Sequence, residues 1–402
     1  MKPDNIVPRK KIIFDMDGVI TGESCYWDAA ALVVWELLYA PEYMKLPVSR
    51  DLPAFSPTPT NRDISTIRKV VFNDDQVISF FKRRALNSNW DLAYLTFGFQ
   101  LVGALKAFSR AGLERNRLPQ ARPGQGLTLE HLNAQGKLLR STESFHWEPS
   151  FDAILSPWAG EARGLELINR MAQMVPDRYN DIIPETFTVS SPLWKGVQRV
   201  FQEWYFGDEQ FTALYGDRPI HPGKEGLIYR EEPVLSQGRV QETLAHLQTL
   251  GWTLGIATGR PFNELNPPLN KMNLWGYFDG RSVATFTDVQ RAENRLKNEK
   301  GQGDTNKDVS LAKPHPFSFL KAYWGETYSD QDLASPDFPR PSKNDCWVVG
   351  DSMADLMAAR KMGAGFIGVL TGHNGLSNEP LFQREGARAV FPDMTHLPHF
   401  FE

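Results

Sequence analysis

Lys10-Lys11-Ile12-Ile13-Phe14-Asp15-Met16-Asp17-Gly18-Val19 is the stretch on which the fold turns. Two lysines give way to a short apolar run that stops abruptly at acids, the pattern of a buried parallel strand whose carboxyl end carries polar groups. Ligand sites of open α/β sheets lie at such ends. Asp15 and Asp17, two apart, present both side chains to one side, and Gly18 lets the backbone turn sharply away. Carboxylates held that close resist ionising together unless a cation separates them or one keeps a proton. The pair therefore suits a metal-bound nucleophile beside an acid/base.

Further along, the same unit recurs. Val240, Leu244, Leu247 and Leu250 have helical spacing and Gly251 stops the helix. Trp252 to Ala257 form a strand ending in Thr258-Gly259-Arg260. A weaker strand is expected near Ser282 to Thr287. Another runs from Cys346 to Val349 into Gly350-Asp351-Ser352, followed by a helix from Ala354 to Met362 and a fifth strand from Phe366 to Leu370. The fold class is α/β, a parallel sheet flanked by helices.

Between the first strand and the helix before the second lie roughly two hundred residues, far beyond a usual βαβ connection. Residues 22–231 are accordingly expected to form a domain inserted into a core made of 1–21 and 232–402. The insertion reads as mostly helical, with helices over Asp28 to Tyr39, Asp75 to Arg84, Trp90 to Arg110 and Pro192 to Tyr205. Leu52 to Asn61 and Arg117 to Gly126 read as loops, and Arg291 to Asp308 as an exposed, mobile excursion from the core.

Composition narrows the function. With 402 residues, 41% hydrophobic and 23% charged, the chain has ample material for a core. A formal net charge of -4 gives no general attraction to nucleic acid, so a small-molecule partner is expected. Cys25 and Cys346 are too few for a disulfide framework or a four-thiolate zinc site, and no run of 18 apolar residues appears. The expectation is a cytoplasmic protein without a membrane partner; the composition does not fix its oligomeric state.

Several polar positions can carry chemistry. Thr258-Gly259 can hold a phosphoryl oxygen through a hydroxyl and exposed N–H groups. Arg260, beside them, is a candidate substrate contact. Lys313, pinned by prolines in Ala312-Lys313-Pro314-His315-Pro316, can neutralise a phosphorylated aspartate. His315 reads as a surface residue. Asp351 and Asp355 bring two more acids to the mouth of a second strand, as magnesium requires of its oxygen ligands. The plainer reading is that Asp351 caps the following helix. Trp27, Trp35, Arg83, Arg84 and Trp90 are candidate contacts in the insertion, although aromatics there fit a core equally well.

In order and spacing, these sites resemble the haloacid dehalogenase superfamily of phosphohydrolases over residues 10–21 and 232–402. Asp15-Met16-Asp17-Gly18-Val19 looks like the first motif, Thr258 the second, Lys313 the third, and Gly350-Asp351 with Asp355 the fourth. The resemblance implies a Rossmann-like core and a magnesium-dependent phosphomonoesterase. Asp15 would become an aspartyl phosphate and Asp17 would serve as acid and then base. The metal would be held by Asp15, the Asp17 carbonyl and Asp351, with Asp355 in support. Gly18, Thr258, Gly259, Arg260 and Lys313 would contact the phosphate. It further implies that 22–231 is a cap, far larger than the family's usual helical insertion. A phosphomutase using the same aspartyl phosphate, or a non-catalytic binding protein of this fold, would be compatible with the same residues.

Overall fold

The computed structural model describes residues 10–84, 86, 88–114, 118, 126–141, 147–299, 310–338, 340–341, 344–373 and 375–402. In chain order, β1 (Lys11–Phe14) is followed by α1 (Ser24–Tyr39), α2 (Asn61–Val71), α3 (Gln76–Lys82), α4 (Asn89–Arg110), α5 (Leu129–Ser141), α6 (Glu166–Ala172), α7 (Ile183–Thr186) and α8 (Pro192–Tyr215). Then come α9 (Gln237–Thr249), β2 (Thr253–Ala257), α10 (Phe262–Lys271), β3 (Val283–Ala284), α11 (Phe286–Glu299), α12 (Phe317–Trp324) and α13 (Asp330–Ala334). The chain ends with β4 (Cys346–Gly350), α14 (Met353–Met362), β5 (Gly365–Val369), α15 (Glu379–Arg384), β6 (Ala389–Phe391) and α16 (Leu397–Phe401). Two compact units result, Met1–Glu23 with Glu231–Glu402, and Ser24–Arg230.

The first unit is a six-stranded sheet in the order β3-β2-β1-β4-β5-β6, with every pairing parallel. β1 lies inside it, with Phe14 level with Ile256 of β2 and Val349 of β4. Alternation along β1 supplies both faces. Ile13 joins a cluster with Phe317, Val348 and Leu356, while Ile12 and Phe14 join Leu244, Ile256 and Leu265 on the other side. Because β1, β2 and β4 end at about the same level, whatever follows Phe14, Ala257 and Gly350 emerges at one edge.

Several expectations shift in detail. The weak third strand shrinks to Val283–Ala284, and the chain turns at once into α11. Residues 291–299 are therefore helical, not a mobile excursion: Val289 and Ala292 are buried and anchor α11 to the sheet unit. The polar composition misleads because α11 is amphipathic, with one thin apolar stripe. The rest of Arg291 to Asp308 lies outside the described residues. So does Arg117 to Gly126, apart from Leu118 and Gly126.

The second unit is helical around one apolar cluster, in which α1 packs on α2, α4 and α8. α1 is apolar almost all round and is buried accordingly. α2 follows the Pro/Ser/Thr-rich loop of Leu52 to Asn61 and was not among the expected helices; Thr60 and Asp63 form a reciprocal capping box that starts it. α8 continues past Tyr205 to Tyr215 through a non-helical Gly207. Among the described residues, α4 is long and apolar enough to cross a membrane, yet 78% of its apolar window is buried in the protein.

One polar group sits inside this apolar unit. Lys224 Nζ lies 2.9 Å from Glu36 Oε2 and 2.8 Å from Glu203 Oε2, and all three side chains are fully buried. His221 Nδ1 is 2.6 Å from Glu36, and Arg199 Nε is 3.1 Å from Glu203. The ammonium ties α1 to α8, and removing it would strand two carboxylates in a low dielectric. Lys224→Met is expected to destabilise this unit by about 3–5 kcal/mol, read as a lower denaturant midpoint; an unchanged midpoint would mean that the carboxylates find other cations.

Candidate active site

Asp15 is the first residue beyond β1, and its N–H still donates to the Val349 carbonyl at 2.9 Å. The backbone then breaks away. Ile20 and Thr21 N–H groups both return to the Met16 carbonyl, and Gly18, at φ 72°, donates to Thr21 O. That left-handed turn favours glycine, and a Cβ there would also meet Asp351 Oδ2 at 2.5 Å. Asp15 Oδ1 accepts from the Met16 N–H at 2.7 Å and lies 2.9 Å from Lys313 Nζ in an ion pair. Oδ2 lies outside these two contacts.

Lys313 reaches the same place from the turn before α12. Its ammonium is 2.8 Å from Asp355 Oδ1 and 4.8 Å from the Phe319 ring centre. Burial would lower its pKa, but the Asp15 and Asp355 carboxylates more than reverse this and hold it in the charged form. His315, two residues on, is half-buried and faces away from such chemistry: Nδ1 accepts from the Phe317 N–H at the start of α12. Burial and nearby Lys361 lower its pKa, which favours the neutral ring.

The β4 turn supplies two acids with different jobs. Asp355 is fully buried, and Oδ2 accepts from the Ser352 N–H at 3.2 Å and the Ser352 hydroxyl at 2.6 Å. Ser352 in turn caps α14. The cap is thus Ser352, not Asp351 as the plainer sequence reading had it. Asp351 is left to face inward. Its oxygens, with those of Asp15 and Asp355, form a group in which one oxygen from each lies within 4.8 Å of the others.

Burial raises the Asp15 pKa to about 7, with the Asp355 and Asp17 charges adding to it and Lys313 opposing. Asp351 is raised well above the usual carboxylate range by burial and by Asp355, Asp15, Glu23 and Asp17. The groups acting on Asp351 are therefore anionic, with no cation among the chief ones.

Thr258 is buried at the end of β2, where its N–H donates to the Ala284 carbonyl and its Oγ1 accepts from the Arg260 N–H at 3.0 Å. Gly259 is exposed beside it, with open space where a Cβ would stand. Arg260 departs from the expected phosphate contact. Its side chain is buried, and its Nε lies 3.1 Å from both Asp17 oxygens while Nη1 lies 2.8 Å from Glu231 Oε2. Asp17 is thus paired with an arginine at the rim of the acidic group.

Two residues escaped the sequence reading. Thr371 donates its hydroxyl to the Gly18 carbonyl, and Gly372 abuts Asp351 so closely that a Cβ there would stand 1.7 Å from Oδ2. A signal was present: β5 is followed by Leu370-Thr371-Gly372, much as β2 is followed by Thr258-Gly259. In the helical unit, Trp35 is fully buried with its Nε1 donating to the Pro53 carbonyl, and Trp90 packs edge-on to Phe201. Arg84 covers the Phe80 ring, while Arg83 is exposed. The two tryptophans serve as packing residues.

Comparison with known proteins agrees with this geometry. Residues 310–397 match the family model described as HAD-hydrolase-like. No curated protein matches the sequence. A solved structure from a structural genomics consortium is 29% identical over 97% of both chains, with a TM-score of 0.79. A hydrolase from Pseudomonas syringae is 16% identical over 98% of both chains, with a TM-score of 0.37. A haloacid dehalogenase-like protein from Agrobacterium tumefaciens is 15% identical over 98% of this chain and 97% of its own, with a TM-score of 0.34. Scores that low carry no argument about this chain. The segment matched by the family model includes Lys313, Asp351 and Asp355, the residues gathered around Asp15, and this part of the chain is similar to the haloacid dehalogenase-like hydrolases.

Proposed function

We propose that this protein is a magnesium-dependent phosphatase that hydrolyses a small phosphate monoester through an aspartyl phosphate on Asp15. The observation that carries the reading is the imbalance at the strand ends. Asp15 and Asp355 share Lys313, and Asp351, grouped with them, has no cation among its chief influences. Hard oxygen donors with excess negative charge fit a small divalent cation. Glycine at 372 clears the space into which the Asp351 carboxylate projects. Asp15, Asp351 and the Asp17 backbone carbonyl would hold magnesium, and Asp355 would support them from behind. When bound, the ion supplies charge neutralisation for the phosphoryl oxygens.

The chain's own residues perform the rest. Lys313 and the Met16 N–H fix Asp15 Oδ1, which leaves Oδ2 to attack phosphorus. Asp17 gives its proton to the ester oxygen as the phosphorus–oxygen bond breaks, and the alcohol leaves. It then takes a proton from water, whose oxygen attacks the aspartyl phosphate, releasing inorganic phosphate and restoring Asp15. Thr258, the N–H groups near Gly259 and Gly18, and Lys313 would steady the transferring group. In this reading residues 24–230 act as a cap that helps select the substrate, and the protein works in the cytoplasm. The buried cysteines Cys25 and Cys346 are compatible with that location.

Purified protein with magnesium and a generic aryl phosphate should release inorganic phosphate, and Asp15→Asn should lower turnover by roughly a thousandfold or more. Equal turnover by the two would exclude Asp15 as the nucleophile; formation of a phosphorylated isomer in place of free phosphate would point to a mutase.

Gly372→Ala tests the metal site. The added Cβ must displace Asp351, so the magnesium concentration for half-saturation should rise roughly ten- to a hundredfold, as when the surroundings of metal ligands are disturbed. Titration of intrinsic tryptophan fluorescence with magnesium would measure it, and an unchanged midpoint would place the ion elsewhere.

Acidity provides a third check. Asp15 has a folded-state pKa of about 7 against an ordinary 3.8, so the metal-free folded protein holds a proton that the unfolded chain releases between those values. Stability is then greatest at the acid side of that window and is lost as pH rises through about 7. In a chelator, the melting temperature should fall between about pH 5 and about pH 8, and magnesium should restore it mainly at the higher pH, because it binds the deprotonated acids. A magnesium effect equal at both would contradict this linkage.

A further inference from the structure

Arg260 occupies a position where a phosphate contact was expected, yet its guanidinium is 2% exposed and already engaged. Nε faces both Asp17 oxygens at 3.1 Å, and Nη2 also meets Asp17 Oδ1. Nη2 reaches Thr21 Oγ1 at 3.0 Å, and Nη1 reaches Glu231 Oε2 at 2.8 Å and the Glu264 carbonyl at 3.4 Å. The Glu231 side chain is fully buried, whereas that of Asp17 is 28% exposed. One end of the arginine is therefore sunk among fixed acceptors, and the other grips a carboxylate at the edge of the site.

The anchors also have a common location. Thr21 and Glu231 lie on the two chain segments that enter and leave residues 24–230. Those segments are hydrogen-bonded to each other: Gly22 N–H donates to Glu232 O at 3.0 Å, Val234 N–H donates to Ile20 O at 2.9 Å, and Thr21 bridges Pro233. A planar fork with several donors is suited to such cross-linking, because one geometry satisfies two carboxylates at once.

We infer that Arg260 is a positioning residue for Asp17: its buried fork, held by Glu231 and Thr21, sets the direction in which the Asp17 carboxyl faces the leaving group. It is not a substrate contact. The inference rests on the reading of Asp17 as acid and base given above. It explains why an arginine follows Thr258-Gly259 at full burial, where a phosphate could not reach it without displacing two carboxylates. It also means that Glu231, distant from Asp15 in sequence, affects proton transfer through Arg260.

The test compares two aryl phosphates in single-turnover phenol release, phenyl phosphate with a poor leaving group and 2,4-dinitrophenyl phosphate with a good one. General acid help matters for the first and little for the second. Asp17→Asn should therefore slow phenyl phosphate far more than the dinitrophenyl ester. Arg260→Met should shift the ratio of the two rates in the same direction, by roughly tenfold or more; Arg260→Lys should recover part of it, and Glu231→Gln should give a smaller shift. Circular dichroism and melting establish which variants fold. Should Arg260→Met fail to fold, Glu231→Gln carries the test, since it retains the arginine and loosens one anchor. Equal slowing of both esters in the folded variants, with Asp17→Asn still selective, would overturn the positioning role. An Asp17→Asn ratio like that of the unmodified protein would instead overturn the acid/base reading and the inference with it.

Discussion

The Lys313 ammonium, 2.9 Å from Asp15 and 2.8 Å from Asp355, is the contact on which the rest of the site depends. Without it, the strand ends would gather carboxylates in a buried place with nothing to offset their repulsion. With it, Asp355 has a cation beside Oδ1 while its Oδ2 accepts from the Ser352 N–H and hydroxyl at the start of α14. One side chain thus joins the turn before α12, the end of β1 and the first turn of α14. The neutralisation is incomplete, and the remaining negative charge makes the place a candidate for a cation.

The backbone prepares this arrangement before any side chain contributes. Parallel pairing of β1 with β2 and β4 levels three strand ends, so that Asp15, Thr258 and Asp351 emerge together although they are separated widely in sequence. Where the chain must crowd against an acid, glycine stands: at 18, where the turn is left-handed, and at 372, where a side chain would overlap Asp351. Packing and chemistry therefore make the same demand at these two positions.

The sheet and the acidic cluster were legible because each depends on a short local pattern, an apolar run followed by polar residues. Asp15, Thr258 and Asp351 each follow such a run, and Lys313 stands just before a pair of prolines. Side-chain direction was not legible. Arg260 lies beside Thr258 in sequence, but its partners Asp17 and Glu231 are brought to it by the sheet and by the paired connecting segments. The capping role weighed as an alternative for Asp351 belongs to Ser352, whose hydroxyl accepts from the Asp355 N–H. α11 escaped because one buried stripe in a polar sequence is a weak signal, and α2 because its capping box follows a run of prolines.

Two buried lysines, each between two carboxylates, show why composition alone does not define a site. Lys224 with Glu36 and Glu203 has almost the same makeup as Lys313 with Asp15 and Asp355. Around Lys224, the further neighbours His221 and Arg199 bring positive character to the same glutamates, and the side chains of Glu36, Glu203 and Lys224 are sealed from solvent. Around Lys313, the further neighbours include the acids Asp351 and Asp17, with Glu23 beyond, and of these Asp17 is met by the Arg260 guanidinium. The first group therefore approaches charge balance and serves to tie helices, because a balanced buried cluster has little to gain from another ion. The second retains an excess of negative charge where Gly18 and Gly372 leave room for the Asp351 carboxylate, so a cation would be bound there more strongly than by the same number of paired acids. The difference between the two groups lies in the charges beyond each lysine's own pair, and it is the fold that places them.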